Sequence, residues 1–256
     1  MATPISITEA RNLPGMRLVL LPGLPSPWSQ AAKGIFEVKK IPYLRVHQLD
    51  EDPPELLRDW TGQESFPVAA WERERPRSGW AEILLLAERL EPEPSLLPAG
   101  QADRALFFGL AHEICGEMGL GWCCRLIMIH NGLKANPEAA FLSDLGEKYG
   151  YHSPDLGERA VGRVIAILNQ LDALLELRRR DGEHYFFGKR VSALDIYWAA
   201  FSNLIDPLPP EQCPMPDALR PMFTQSDPRI KAAFTPALSF HRDYVFHEHL
   251  VLPMEL

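Results

Sequence analysis

The stretch RLVLLPGLPSPWSQAAKGIFEVKKIPYLRVH, residues 17–47, decides how the rest of the chain is read. Arg17 to Leu21 is a short apolar run closed by Pro22-Gly23, the pattern of a buried strand. Ser26-Pro27 opens a helix, because serine is a good N-cap and proline suits the first helical position. Trp28, Ala31, Ala32, Ile35 and Phe36 then recur at helical spacing. Ile41-Pro42 ends the helix, since a residue before proline avoids the α region. Tyr43 to His47 alternates and reads as a second strand. Strand, helix and strand in so short a span predict a parallel pair joined by a crossover helix.

Working outward, Pro53 to Trp60 reads as a short helix or turn ended by Gly62, and Val68-Ala69-Ala70-Trp71 as a strand. Glu72 to Pro76 suggests a hairpin into a short fourth strand, and Ser78 caps a helix to about Leu90 with Trp80, Ile83, Leu84 and Leu86 on its apolar face. The predicted order is βαβαββα. Glu91-Pro92-Glu93-Pro94-Ser95 and Pro98-Ala99-Gly100 form a polar, proline-bearing connection, which places a boundary between a domain at 1–92 and a second at 101–256. The second reads as helical throughout. Its expected helices are a long one from Asp103 to about Gly132, bent near Gly119 and Gly121, then Gly157 to Arg180, Ser192 to Leu204, and one around Pro228 to Tyr244 in a proline-rich tail.

The 256 residues carry a net charge of −8, with 46% hydrophobic and 23% charged residues. That is an ordinary globular composition, and the acidic balance argues against nucleic acid or an anionic membrane as the main partner. The four cysteines, Cys115, Cys123, Cys124 and Cys213, have neither zinc spacing nor the look of a disulfide framework. No apolar run approaches the roughly 20 residues of a membrane span, and Met1 to Asn12 lacks the apolar core of a secretory signal. The expected location is the reducing cytoplasm.

Three local signatures occur in order on these elements. They are Ser26-Pro27-Trp28-Ser29 with Lys40-Ile41-Pro42-Tyr43, then Trp60-Thr61-Gly62-Gln63 with Phe66-Pro67-Val68, then Tyr185-Phe186-Phe187-Gly188 with Ser192-Ala193-Leu194-Asp195. Together they resemble the cytosolic glutathione S-transferases, in particular the bacterial-type, serine-using members, over residues 16 to 205. The tail after Asp206 has no match in that pattern. The resemblance implies a thioredoxin-like N-terminal domain that binds glutathione, an all-helical C-terminal domain, a hydrophobic co-substrate site toward the helices, and a homodimer. Glutathione would be substrate or co-substrate, with no metal.

Individual residues can then be weighed. Ser26 lies at the strand-to-helix junction, where it is either an N-cap alone or the hydroxyl that holds a thiolate. A thiol titrates near about 8.5, so little is ionised at neutral pH. A hydroxyl donating to the sulfur anion adds roughly 1.5–3 kcal/mol and a helix N-terminus about 0.3–1 kcal/mol. At about 1.4 kcal/mol per unit, the two together lower the thiol pKa by roughly one to three units. Ser29, one turn on, is a polar first-turn residue or a second candidate. The absence of cysteine at both positions argues against thiol–disulfide exchange.

The resemblance implies a cis bond at Phe66-Pro67 whose exposed backbone groups pair with the cysteinyl part of glutathione. It also implies that Ser78 and its helix N-terminus take the γ-glutamyl carboxylate and that Gln63 reaches the glycyl end. Arg77 departs from the family, which has an acid or amide there, and raises the question of which thiol ligand is bound. Glu64-Ser65 looks like the missing acidic-serine pair but precedes the strand.

Ser192 and Asp195 have capping-box spacing and read as structural. Trp122, Cys123 and Cys124 read as core or as substrate wall. His241, His247 and His249 read as scattered surface histidines, and Arg178-Arg179-Arg180 as a solvated helix end. The expected function is activation of the glutathione thiol for attack on a hydrophobic electrophile. The alternatives are a non-catalytic binding protein of the same fold and a glutathione-dependent ether-cleaving or dehalogenating enzyme.

Overall fold

The computed structural model describes residues 3–49, 52–53 and 55–256. The run at 17–21 forms the central strand of a four-stranded sheet. In chain order the first half is β1 (Ile5–Ser6), α1 (Ile7–Ala10), β2 (Met16–Leu20), α2 (Pro27–Val38), β3 (Leu44–His47), α3 (Leu56–Thr61), β4 (Val68–Trp71) and α4 (Trp80–Leu90). The spatial order is β1-β3-β2-β4. Strands β2 and β3 pair in parallel, with Val19 opposite Val46, and β4 runs antiparallel to β2. The strand–helix–strand crossover predicted from residues 17–47 is therefore present. Side chains of β2 alternate as a strand requires. Leu18 and Leu20 join the main core with α2 and α4, while Val19 faces a smaller cluster of Ile7, Val46, Leu57 and Val68.

Two expectations in this half are corrected. The hairpin after Trp71 yields no further strand beyond β4, only one bridge between Ala69 and Arg77, because Glu72 turns with φ 46° and the chain then enters α4. Ser78 is not the N-cap of α4. Gly79 is, and the Glu82 carboxylate reaches back to its N–H at 3.4 Å. The N-terminal strand β1, beside β3, has no periodic pattern to announce it.

Residues 91–100 contain neither helix nor strand, and helices follow. These are α5 (Gln101–Cys115), α6 (Leu120–Ala135), α7 (Ala140–Tyr149), α8 (Asp155–Arg180), α9 (Ala193–Ser202), α10 (Pro228–Ala233) and α11 (Pro236–His249), with a 3₁₀ turn at Asp217–Phe223. A thioredoxin-like half is thus joined to an all-helical half. The expected single helix from Asp103 to Gly132 is two helices. Met118 sits at φ 56°, and a Cβ on Gly119 would lie 2.6 Å from the Glu113 carbonyl oxygen, so the chain reverses where only glycine fits. The expected tail helix is also two, interrupted at Phe234–Thr235 before Pro236.

Every residue of α9 is buried, and it packs against α2, α5 and α11. Its first turn is held by Asp195, which is fully buried. That carboxylate accepts from the Ser192 N–H (2.8 Å), the Ser192 hydroxyl (2.6 Å), the Phe186 N–H (3.0 Å) and His241 Nε2 (2.8 Å). The pair has the capping-box geometry that its spacing predicts. His241 is a buried member of it rather than a surface histidine. The unmatched tail returns to the sheet-bearing half. The Glu255 carbonyl accepts from Gln30 Nε2 and Lys33 Nζ, both at 2.9 Å, and its carboxylate pairs with Arg45 at 2.6 Å.

Candidate active site

A cleft of about 510 Å³ opens where the sheet-bearing half meets α5, α6 and α7. The approach to β4 contributes Gln63, Ser65, Phe66 and Pro67, and the start of α4 contributes Ser78, Gly79 and Trp80. Trp28 reaches in from α2, and its indole Nε1 donates to the Cys115 carbonyl at 2.9 Å. The opposite wall is the α5–α6 junction, from His112 to Glu117, with Trp122, Lys148 and Tyr149 beyond. Gly121 makes this closeness possible, since a Cβ there would meet Phe201 at 2.5 Å and Trp28 at 3.0 Å.

Four of the residues singled out in the sequence, Gln63, Phe66, Pro67 and Ser78, line this one cleft. The Phe66-Pro67 bond is cis, as are Glu93-Pro94 and Leu252-Pro253. The other three do not line it. Ser26 is buried at the start of α2, two residues before Trp28, and its hydroxyl makes no cap bond. The first turn of α2 contains no acidic residue. Ser29 is also buried, and its Oγ accepts from the Leu21 N–H at 3.3 Å, tying the helix to the end of β2. Arg77 is held by Glu74 at 2.7 Å and donates to the Arg75 carbonyl at 2.8 Å. The mismatched charge is therefore paired within the protein. Glu74 also binds Arg89, and the Arg89 and Arg77 guanidinium groups together keep its carboxyl below the usual range.

The start of α4 is less open than the sequence suggests. The N–H groups of Gly79 and Ser78 both bond the Glu82 carboxylate. Arg75, bonded to Glu82 at 2.6 Å, leads in holding that carboxyl down. A ligand carboxylate arriving here meets a resident one.

Burial disfavours the thiolate at the cysteines near the cleft. Burial pushes Cys115, which borders the cleft, well up, and likewise Cys124. Burial also leads in raising Cys123, to about 12. Cys123 and Cys124 are core residues, while their neighbour Trp122 forms cleft wall, its Nε1 donating to the Tyr149 carbonyl at 3.1 Å. Burial raises the Tyr149 hydroxyl, with Arg125 opposing it. Tyr197, raised by burial as well, donates to the Trp80 carbonyl at 3.2 Å. Neither phenol is a ready base at neutral pH.

No protein-family model and no curated protein sequence matches the chain. Solved structures do. A glutathione S-transferase of Methylobacterium radiotolerans, solved with glutathione sulfonate, superposes with a TM-score of 0.59 at 15% identity, covering 91% of each chain. An Omega 3C glutathione transferase of Trametes versicolor gives 0.59 at 16% identity, over 96% of this chain and 91% of that one. A Tau-class enzyme of mango gives 0.53 at 18% identity, over 93% and 99%. The fold is that of the glutathione transferases.

In this glutathione-transferase fold, the cleft lies between the sheet-bearing half and the helices. Of its far wall, sequence reading offered Trp122 and missed His112, Glu117, Lys148 and Tyr149. His112 and Glu117 reach the cleft because the chain breaks at Gly116–Gly119, and Lys148 and Tyr149 end a helix closed by Gly150 at φ 68°. The glycine-rich run after Cys115 and the Tyr149-Gly150 stop were the available signals. Ser65, set aside as preceding the strand, is also on the lining.

Proposed function

We propose that this protein binds glutathione in the cleft beside β4 and α4 and activates its thiol from the N-terminus of α2. The observation that carries this reading is the convergence of Gln63, Phe66, Pro67 and Ser78 on one cleft next to a helix start with no internal acid. In this reading the Phe66 backbone aligns the cysteinyl unit, Gln63 takes the glycyl end and Ser78 the γ-glutamyl end. The Ser26 hydroxyl donates to the sulfur, whose proton leaves to solvent. The thiolate then forms a sulfur–carbon bond with an apolar electrophile lodged against Trp122 and Tyr149, and the displaced group leaves with its electron pair. Ether cleavage and dehalogenation are versions of this same displacement.

A second reading is a non-catalytic protein of the same fold. It is favoured by the burial of Ser26 outside the lining and by Glu82 occupying the N–H groups of Ser78 and Gly79. Calorimetric titration with reduced glutathione at several pH values separates the two. Activation predicts saturable one-site binding that releases a proton near neutral pH. Absence of binding up to millimolar ligand would leave the non-catalytic reading in its place.

A further inference from the structure

A second cavity, of about 350 Å³, lies between the C-terminal end of α8, the turn at 182–184 and α11, and shares no lining residue with the cleft. Its volume is in the range of small-molecule sites, about 300–1,000 Å³. Three features of its wall are independent of one another.

The first is His241. It is buried, its Nε2 is bonded to Asp195, and Phe186 packs edge-on against it at 4.9 Å. A carboxylate only accepts, so Nε2 carries the hydrogen. The ring is therefore fixed, and among the described residues Nδ1 has no partner. The second is charge. Of three consecutive arginines ending α8, Arg178 pairs with Glu183 at 3.5 Å and Arg180 with Glu176 at 3.2 Å. Among the described residues Arg179 has no ion pair, and it is the one that borders the cavity. Glu183, also on the wall, shares Arg178 with Asp103 (3.8 Å), so among the described residues Arg179 is the wall's one cation without an ion pair. The third is a stacked aromatic pair. Phe240, 68% exposed at the mouth, stacks on Tyr244 at 15° between ring planes.

We propose that this cavity binds small aromatic carboxylates. The ring lies against Phe240 and Tyr244, in the offset or edge-on arrangements aromatic pairs favour. The carboxylate takes the Arg179 guanidinium, whose planar fork fits it in two parallel bonds. A hydroxyl across the ring donates to His241 Nδ1, which makes a hydroxybenzoate the best match among simple probes.

The test is titration of the full chain with 4-hydroxybenzoate by calorimetry, with phenol as the probe lacking the carboxylate. The expected result is one saturable site, with phenol at least about tenfold weaker, since a charge-assisted hydrogen bond is lost. Arg179→Gln, an exposed substitution that leaves the core intact, should weaken 4-hydroxybenzoate by about tenfold or more, whereas Trp122→Ala in the cleft leaves it unchanged. Absence of saturation overturns the proposal. So does binding that survives Arg179→Gln, or that Trp122→Ala removes, because the probe would then sit elsewhere. None of these outcomes depends on whether the cleft binds glutathione.

Discussion

Two helices of this protein begin with serine, and their first turns could hardly differ more. At α9, Ser192 and its neighbours are saturated by the buried Asp195 carboxylate, which takes four donors. At α2, Ser26 makes no cap bond and no acid stands in the first turn. Two other helix starts of the sheet-bearing half, α1 and α4, side with α9, while α3 has no side-chain cap. Glu9 and Asp52 take the N–H groups at the start of α1, and Glu82 takes those before α4. A helix N-terminus carries a partial positive charge and unpaired N–H groups. Where the chain supplies its own carboxylate, that potential serves the fold. At α2 no such carboxylate stands in the first turn, and under the proposed function that potential serves the ligand's thiolate.

The comparison can be broken at each start. The largest effect is expected for Asp195→Ala, which strands three or more buried donors and should lower stability by about 3–5 kcal/mol, as breaking a buried charged network does. Chemical denaturation measures it, and a normal unfolding midpoint accompanied by lost turnover would falsify the structural assignment. Next is Asp52. Burial pushes its carboxyl up, but the N–H groups of Leu49, Ile7 and Thr8 and the Thr8 hydroxyl outweigh burial and hold it below the ordinary value. A depressed carboxyl contributes stability above the unfolded value of about 3.9, and that stability is lost as pH falls through the folded one. Asp52→Asn should therefore be less stable at neutral pH and show a shallower acid-side loss when unfolding is followed from pH 7 to 2.

Glu82→Gln sharpens the contrast further, because it removes the resident anion at α4. Stability should fall by about 1 kcal/mol, the scale of a lost cap, while glutathione affinity measured by calorimetry rises. Unchanged or weaker binding would mean that the γ-glutamyl carboxylate does not go there. The smallest effect is expected for Arg77→Gln. Its pair with Glu74 is half-buried, and Glu74 keeps Arg89 when Arg77 is lost, so stability should change by only about 1 kcal/mol. Glutathione affinity should move little, because the guanidinium already has its partners.

Much of the fold was legible because local signals agreed with one another. Residues 17–47 combine an apolar run, a serine–proline start and a proline stop, and all three fall on observed boundaries within a few residues. The near side of the cleft came from the resemblance, which singled out Gln63, Phe66, Pro67 and Ser78, all lying on the approach to one strand and the turn into one helix. What stayed hidden depends on where distant segments meet. The break at Met118–Gly119 turns one apparent helix into two and brings His112 and Glu117 to the cleft. Nothing local to His241 discloses that it caps Asp195 from 46 residues away. Ser29 has the sequence look of a site residue, yet its hydroxyl serves the Leu21 N–H.

The role of the acid-free start of α2 in the proposed chemistry is the central claim, and Ser26→Ala tests it most directly. The ionisation of bound glutathione is followed by thiolate absorbance across pH in the unaltered protein and in the variant, beside a denaturation curve for each. The account predicts that the bound thiol titrates roughly one to three units below the usual value of about 8.5. It also predicts that Ser26→Ala returns the titration toward that value while the unfolding midpoint stays in place. An identical titration in both proteins, or a variant that loses stability as Asp195→Ala does, would show that Ser26 belongs to the fold and not to the chemistry.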